Sequence, residues 1–222
     1  MSGAAIADHP ILETIPVGPL QCNCSILGDP ASGEAIVIDP GDEAERILQS
    51  LRAGGLTPVA LLHTHAHFDH IGGSRRVHEA TAAPIRLHEA DLPLYDALPK
   101  QAAHFGLSAE DPAPPGAPVE DGEVIRFGRF AVTAIHTPGH TPGSTCYRLD
   151  GSDGSAGILF SGDTLFRRSI GRTDLWGGDT ETILSSIRER LYSLPGDLRV
   201  ICGHGPDTTI GEESARNPFV RV

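Results

Sequence analysis

The composition of this 222-residue chain is that of a globular protein, with 39% hydrophobic and 21% charged residues. A formal net charge of −12 without a basic run argues against nucleic acid as a partner, and no apolar run reaches the ~20 residues of a membrane span. Residues 1–8 contain neither a basic segment nor a long apolar core, so the sequence predicts a soluble cytoplasmic protein without an export signal.

The first half of the chain alternates predicted strands with predicted helices. Apolar runs bounded by turn signals predict strands at 11–17, 22–27, 35–38, 59–62 and 84–87. Helices are predicted at 43–53 and 73–82, and the segment 39–42 offers an N-cap for the first of them. Because strand and helix alternate, we predict an α/β fold that binds its ligands at the carboxyl ends of the strands.

The second half begins with a proline-rich segment at 98–122. Its prolines predict a loop insertion with a short helix near 101–105, which either overlies an active site or forms a plain surface excursion. Strand pairs follow at 124–127 with 130–136 and at 144–149 with 157–160, the latter turning through 150–154. An amphipathic helix at 180–194 and a last strand at 198–202 complete a predicted single domain spanning 1–222.

The four cysteines are predicted to be buried thiols rather than metal ligands or disulfides. Cys22, Cys24, Cys146 and Cys202 lack the paired CxxC spacing of a structural zinc site. Small buried thiols of this kind are typical of a reducing compartment. Cys22 and Cys24 share a strand face by parity, and core packing is favoured over metal binding for both.

The densest group of metal-binding side chains follows the predicted strand at 59–62, in the stretch His63-Thr64-His65-Ala66-His67-Phe68-Asp69-His70. In an extended chain His65 and His67 project to the same side. Asp69 and His70 fall where the chain turns into a helix, so they approach from another direction. Imidazole and carboxylate are ligands for zinc, iron and manganese, and this layout predicts two adjacent metal ions.

Three later loops supply the same ligand types, each after a predicted strand. His140 lies in a turn rich in proline and glycine, Asp163 follows an apolar strand, and His204 lies between two glycines. A lone histidine after a strand is usually not a ligand, but this many strand-end loops together favour one site. His63 and His136 are weaker candidates for supporting contacts, whereas His9, His78, His88 and His104 are predicted to be solvated or locally bonded.

The motif HxHxDH at 65–70, followed by His140, Asp163 and His204, resembles that of metallo-β-lactamase-fold hydrolases. The resemblance implies an αββα sandwich in which two β-sheets are flanked by helices. It also implies a metal site of His65, His67 and His140 and a second site of Asp69, His70 and His204. Asp163 would bridge the two ions, and Asp69 and Asp163 would have the catalytic role of orienting a metal-bound hydroxide.

Within that fold, the chain resembles short bacterial hydroxyacylglutathione hydrolases of the glyoxalase II type. The matching residues are Gly171-Arg172-Thr173-Asp174 and the ending at 203–206 and 217–219. The helical C-terminal domain with which full-length glyoxalase II binds glutathione is absent from the sequence pattern. Arg172 replaces a family lysine that contacts glutathione and is predicted to bind a substrate carboxylate, whereas Asp174 replaces an aromatic contact.

The resemblance implies hydrolysis of S-lactoylglutathione or a related acyl thioester through a metal-bound hydroxide, with two divalent ions of zinc, iron or manganese as cofactors. A thiolate leaves without a strong proton donor, which favours a thioester over a lactam.

The main alternative is a mononuclear iron persulfide dioxygenase of the same fold, with His65, His140 and Asp163 as a facial triad. A non-catalytic metal-binding module, an RNA-processing phosphodiesterase and a β-lactamase are less favoured. The expected partner is therefore a small thioester or a glutathione-like thiol, with neither nucleic acid nor membrane involved.

Overall fold

The computed structural model of this protein describes residues 9–151 and 157–221. The segment 1–8, expected to lack an export signal, and part of the predicted turn at 150–154 lie outside these ranges. The described strands are β1 (Ile11–Val17), β2 (Cys22–Gly28), β3 (Glu34–Ile38), β4 (Thr57–Leu62), β5 (Ile85–Arg86), β6 (Val124–Phe127), β7 (Phe130–His136), β8 (Thr145–Leu149), β9 (Ile158–Gly162), β10 (Leu165–Phe166), β11 (Ser169–Ile170), β12 (Arg199–Cys202) and β13 (Thr208–Thr209).

The described α-helices are α1 (Ala44–Ala53), α2 (Phe68–Ile71), α3 (Ser74–Thr81), α4 (Leu92–Asp96), α5 (Leu98–His104), α6 (Thr180–Ser186) and α7 (Ile210–Arg216). A 3-10 turn at Glu89–Asp91 precedes α4. A π-helical turn at Ile187–Leu191 continues α6.

Two sheets form the centre of the molecule. The first has the strand order β1-β2-β3-β4-β5, with antiparallel pairs from β1 to β3 and parallel pairs from β3 to β5. The second has the order β13-β12-β9-β8-β7-β6, in which β9 and β12 are parallel. Parallel neighbours need a crossover connection, and α1 supplies it between β3 and β4 while α6 supplies it between β9 and β12.

The central strands are buried on both faces, which is why their sequences are almost continuously apolar. In β3, Ala35 and Val37 pack with α1 and α3, whereas Ile36 and Ile38 pack with the second sheet. A third apolar cluster packs α6 and the π-helical turn against the outer face of the second sheet. The layers are therefore helix, sheet, sheet and helix, which confirms the predicted αββα sandwich.

Two helices differ from their predicted bounds. Pro99 lies in the first turn of α5, where its missing N–H costs no helical hydrogen bond, so the helix begins at Leu98 rather than near 101. The predicted helix at 180–194 keeps α-helical hydrogen bonding only as far as Ser186 before the π-helical turn.

The remaining differences lie at element ends. The predicted N-cap within 39–42 was wrong, because the N-cap of α1 is Glu43, with a left-handed φ of 48° and no side-chain cap. The strand predicted as the last is followed by β13 and α7, and the Thr209 side chain caps α7 by accepting from the Glu212 N–H. Across the described ranges, no helix combines the length and apolar character needed to cross a bilayer.

Candidate metal centre

The histidine-rich loop begins where β4 ends and is anchored to the end of the neighbouring strand β3. Thr64 donates its backbone N–H to Oδ1 of Asp39 (2.7 Å) and its hydroxyl to Oδ2 (2.6 Å). The ring of His70 donates from Nδ1 to Oδ2 of the same carboxylate (2.9 Å), since a carboxylate only accepts. Asp39 therefore fixes both the start of the loop and the rotation of the His70 ring. Sequence reasoning missed this role, for which the signal was a lone acid directly after an apolar strand.

Backbone carbonyls orient two further rings in the same way. His140 donates from Nδ1 to the carbonyl oxygen of Arg172 (2.7 Å), and His204 donates from Nδ1 to that of Leu20 (2.9 Å). A neutral imidazole that donates from Nδ1 carries its lone pair on Nε2. Like His70, both rings therefore have Nε2 left as the atom that could bind a metal ion, which takes the neutral form of the ring.

One group of donors consists of His65, His67 and His140. Each offers a ligand atom within 4.8 Å of the others, and Nε2 of His65 lies 3.2 Å from Nε2 of His140. All three side chains are buried. Burial and then the charge of His140 lower the pKa of His67 to about 3, so this imidazole is neutral at pH 7. The group has the composition of a three-histidine metal site.

A second group consists of Asp69, His70 and His204, whose ligand atoms also lie within 4.8 Å of one another. Nε2 of His204 is 3.2 Å from Oδ2 of Asp69 and 3.2 Å from Nε2 of His70. Burial lowers the pKa of His204, but the hydrogen bond with Asp69 and the negative charges of Asp163 and Asp69 together outweigh burial and raise that pKa above its usual value. Two nitrogens and a carboxylate oxygen again form a suitable donor set for a divalent ion.

Asp163 lies between the two groups. Its Oδ1 is 3.4 Å from Nε2 of His70, and its Oδ2 is 3.6 Å from Nε2 of His140. Burial would raise the pKa of this carboxyl, but its interactions with His70, His140 and His204 together outweigh burial and hold the pKa below its usual range. Oδ1 is buried and accepts no hydrogen bond from the described residues. An ionised, buried oxygen without a donor fits a position beside a cation.

A buried acid braces the loops that carry the first group. Asp91 accepts hydrogen bonds from the backbone of Ala66 (3.0 Å), the hydroxyl of Thr141 (2.8 Å) and the backbone of Gly143 (2.6 Å). It therefore joins the loop between His65 and His67 to the turn that holds His140. The sequence offered no signal for this role, because Asp91 lies in a polar stretch far from every motif.

The weaker sequence candidates lie outside both groups. His63 is buried, contacts Ser74 Oγ through Nε2 (3.1 Å), and has a pKa lowered to about 4 by burial. His136 stacks on His88 with ring centroids 4.0 Å apart. Cys22 lies 3.4 Å from Nδ1 of His70, on the side of the ring bound by Asp39, and burial raises the pKa of its thiol to about 12. All four cysteines are free and buried, as the sequence predicts.

A cleft of about 420 Å³ is lined by five of the candidate donors, His67, Asp69, His140, Asp163 and His204. Gln101 and Phe105 line it, so the proline-rich segment borders the site through α5 and the residue after it. Arg172 also lines the cleft, but its guanidinium forms a bidentate pair with Asp174, at 2.7 Å from Nε to Oδ1 and 2.9 Å from Nη2 to Oδ2. Arg172 therefore lies in the cleft wall and pairs with a carboxylate of the chain, and its binding of substrate stays a prediction.

Comparison with known proteins places this site in a family. The model of the metallo-beta-lactamase superfamily matches residues 17–204. The hydroxyacylglutathione hydrolase GloC of Haemophilus influenzae is 40% identical over 211 residues, which cover 94% of this chain and 97% of that protein. The human mitochondrial persulfide dioxygenase ETHE1 is 34% identical over 227 residues, which cover 98% of this chain and 77% of that protein.

Solved structures agree with this grouping. The BLEG-1 B3 metallo-β-lactamase superposes with a TM-score of 0.85 at 40% identity, over 95% of this chain and 99% of that one. TTHA1623 in a di-iron-bound form gives a TM-score of 0.83 at 41% identity, over 94% of this chain and 100% of that one. Proteins of the matched family are generally metal-dependent enzymes, most of them hydrolases. The fold, the converging donors and these similarities together show that the chain belongs to the metallo-β-lactamase superfamily.

Proposed function

We propose that this protein is a binuclear metal-dependent thioester hydrolase of the glyoxalase II type, acting on S-lactoylglutathione or a related acyl thioester. The observation that carries the proposal is the position of Asp163, whose two oxygens face different donor groups. One metal ion would need only one of these groups, whereas two ions use both and give Asp163 a partner on each side. The 40% identity to a hydroxyacylglutathione hydrolase supports the same reaction class.

The donor sets suit zinc, iron or manganese. His65, His67 and His140 would hold one ion, Asp69, His70 and His204 the other, and Asp163 would contact both. When bound, such ions supply an acidified water and a positive charge for the carbonyl oxygen.

The residues of the chain itself position the reactants. Asp69 and Asp163 are carboxylates on the cleft wall, so each can accept a hydrogen bond from the attacking water and orient it. Hydrolysis breaks the bond from carbonyl carbon to sulfur, consumes one water, and releases a carboxylate, a thiol and one proton. A thiol with a pKa of about 8.5 departs as thiolate without a proton donor from the protein. The proposed substrate is a small molecule, in keeping with a net charge of −12 that disfavours nucleic acid.

A mononuclear iron persulfide dioxygenase is the second candidate. His65, His140 and Asp163 form two histidines and one carboxylate in contact, with 3.2 Å between the two rings' Nε2 atoms and 3.6 Å from His140 to Asp163. That donor set is typical of iron enzymes that use oxygen. The similarity to human persulfide dioxygenase favours this alternative specifically.

Metal content and turnover measured on the same preparation separate the two candidates. We expect two metal ions per chain, turnover of S-lactoylglutathione, and no oxygen uptake. A chelator-treated sample should lose turnover and regain it on reloading with zinc, iron or manganese. One iron per chain, with oxygen consumed on addition of glutathione persulfide and no thioester cleavage, would overturn the proposal.

A further inference from the structure

Three large apolar side chains around the cleft are exposed to solvent. Leu20, Phe105 and Trp176 are 46%, 47% and 65% exposed, and all three line the cleft. Leu107, also exposed, follows Phe105 closely along the chain. Apolar side chains scattered singly over a surface need no explanation, but a group of them around a concave site marks a surface that binds an apolar partner. We call Leu20, Phe105 and Trp176 the apolar rim.

The apolar rim is built on the backbone that orients the metal-binding rings. The carbonyl of Leu20 itself accepts from His204, and Trp176 lies in the loop whose Arg172 carbonyl accepts from His140. Phe105 directly follows α5, which is tied to the histidine loop because Gln101 donates from Nε2 to the backbone oxygen of Ala66 (2.9 Å). The rim therefore keeps a fixed place relative to the reacting centre.

An aromatic contact connects the apolar rim to the histidine-rich loop that holds four of the candidate donors. The ring of Phe105 lies against that of Phe68, with centroids 4.9 Å apart and planes tilted by 31°. Phe68 stands between His67 and Asp69 in the sequence and lines the same cleft. An apolar group bound at the rim would thus be continuous with a wall that reaches the donors themselves.

The charges of the lining favour an apolar substituent over an anionic one. Among the described residues that line the cleft, Arg172 is the only permanent cation, and Asp174 engages its guanidinium through two hydrogen bonds. The apolar rim should therefore bind a hydrocarbon group more favourably than a charged group.

We infer that the preferred substrate is a thioester with an apolar acyl group, aliphatic or aromatic, that packs on Leu20, Phe105 and Trp176. The inference rests on the proposed thioester hydrolysis and names its substrate class. Glutathione is a charged peptide, so the apolar part of such a thioester must lie on the acyl side. The short hydroxylated lactoyl group would leave most of the apolar rim in water.

Binding can be measured without any chemistry, because Trp176 is the only tryptophan of the chain and reports on the rim by fluorescence. The probes are the uncleavable thioethers S-methylglutathione and S-hexylglutathione, added to the metal-loaded protein. Each methylene that becomes half buried gains roughly twofold in affinity, so the hexyl compound should bind at least about tenfold more tightly. It should also shift the Trp176 emission to shorter wavelength, since the indole leaves water.

Turnover tests the same preference with S-acetylglutathione and S-hexanoylglutathione. We expect kcat/KM to be on the order of tenfold higher for the hexanoyl compound. Trp176→Ala and Phe105→Ala should each lower this ratio at least about threefold. Phe219→Ala is the matched control, because Phe219 is 56% exposed but does not line the cleft, and it should leave the ratio unchanged.

The outcomes separate this inference from the proposed function. Equal affinities for the two thioethers together with equal kcat/KM for the two thioesters would overturn the apolar acyl preference, even if S-lactoylglutathione is hydrolysed. Tighter binding of S-hexylglutathione with no thioester cleavage would support the apolar rim and overturn the hydrolase. A wild-type dimer in sedimentation that Trp176→Ala dissociates would assign the rim to self-association and overturn the substrate assignment.

Discussion

Single carboxylates decide how the candidate centre is assembled, and Asp163 is the one that contacts both donor groups. Because its oxygens contact both donor groups, Asp163→Ala should lower metal content and reduce kcat/KM by more than roughly 100-fold, the upper range for loss of a supporting residue. Metal analysis beside thioester assays checks this. Asp96→Ala, which removes an exposed carboxylate outside the cleft, is the control. Full metal loading and full activity in Asp163→Ala would contradict the bridging role.

Asp39 supports a candidate ligand, His70, without belonging to either donor group. Its carboxylate accepts from two groups of Thr64 and from the ring of His70. In Asp39→Asn one acceptor oxygen becomes an NH₂ donor, so the ring loses its fixed rotation and metal affinity should fall roughly 10- to 100-fold. Titration against a competing chelator measures that affinity directly. The control is Asp42→Asn, whose carboxylate is exposed and contacts only the Glu43 N–H in the hydrogen bonds described. An unchanged affinity in Asp39→Asn would show that His70 needs no such support.

We expect Asp174 to compete with a substrate carboxylate for Arg172, because it already pairs with that guanidinium. An exposed ion pair of this kind is weak, so Asp174→Asn should lower KM for an anionic glutathione thioester by at most about fivefold. A neutral thioester of N-acetylcysteamine should show no change. In the Arg172→Ala background the Asp174→Asn change should have no effect on KM, and a gain there would refute the competition.

At the scale of elements, the loop after β4 carries four of the seven candidate donors and packs tightly against the segment after β3. The segment after β3 lies against α2 so closely that a Cβ on Gly41 would overlap the backbone oxygen of Asp69. We expect Gly41→Ala to cost about 2 kcal/mol of stability, a fall of roughly 4–8 °C in Tm, and to displace Asp69. Thermal unfolding and metal content check both effects. Gly196→Ala is the matched control, since its Cβ would make only an ordinary 3.6 Å contact. A Tm for Gly41→Ala equal to that of the control would contradict this packing.

The sequence predicted the elements that its periodicity encodes. Apolar runs marked the central strands, and the strand-end positions of His140, Asp163 and His204 placed them near the histidine loop. Asp39 and Asp91 escaped prediction because their partners lie 25 and 50 residues away, at Thr64 and Thr141, and meet them only in the folded protein. The apolar rim escaped for a related reason: a pattern of apolar residues does not tell a buried side chain from one exposed around a cleft.

At the scale of the whole molecule, the two sheets must hold a fixed distance, since each carries part of the donor set. Their apolar interface does most of this. A polar clamp adds to it at the edge, where the buried Asp29 after β2 meets Arg129 between β6 and β7. Asp29 accepts from the Arg129 backbone (3.0 Å) and from its guanidinium (2.8 Å). This clamp escaped prediction, because Asp29 and Arg129 lie 100 residues apart in the sequence and in different sheets.

This clamp should make stability depend on pH. The hydrogen bond from Arg129 holds the pKa of Asp29 well below its usual range, so the folded state favours the ionised form. The unfolded chain binds the proton first as pH falls, near pH 3.9, and the clamp's contribution is therefore full above that pH and shrinks below it. Asp29→Asn should lower Tm at neutral pH, and the gap to wild type should narrow toward about pH 3.

The comparison uses thermal unfolding of chelator-treated proteins, so that release of metal in acid does not contribute to the change in Tm. Asp207→Asn is the control, because it removes a carboxylate that pairs with Arg199 on the surface (2.7 Å), and it should give a small gap at every pH. A gap for Asp29→Asn that stays constant from neutral pH down to about pH 3 would mean that the charge of Asp29 contributes nothing. In that case hydrogen-bond geometry alone would join the two sheets at this edge.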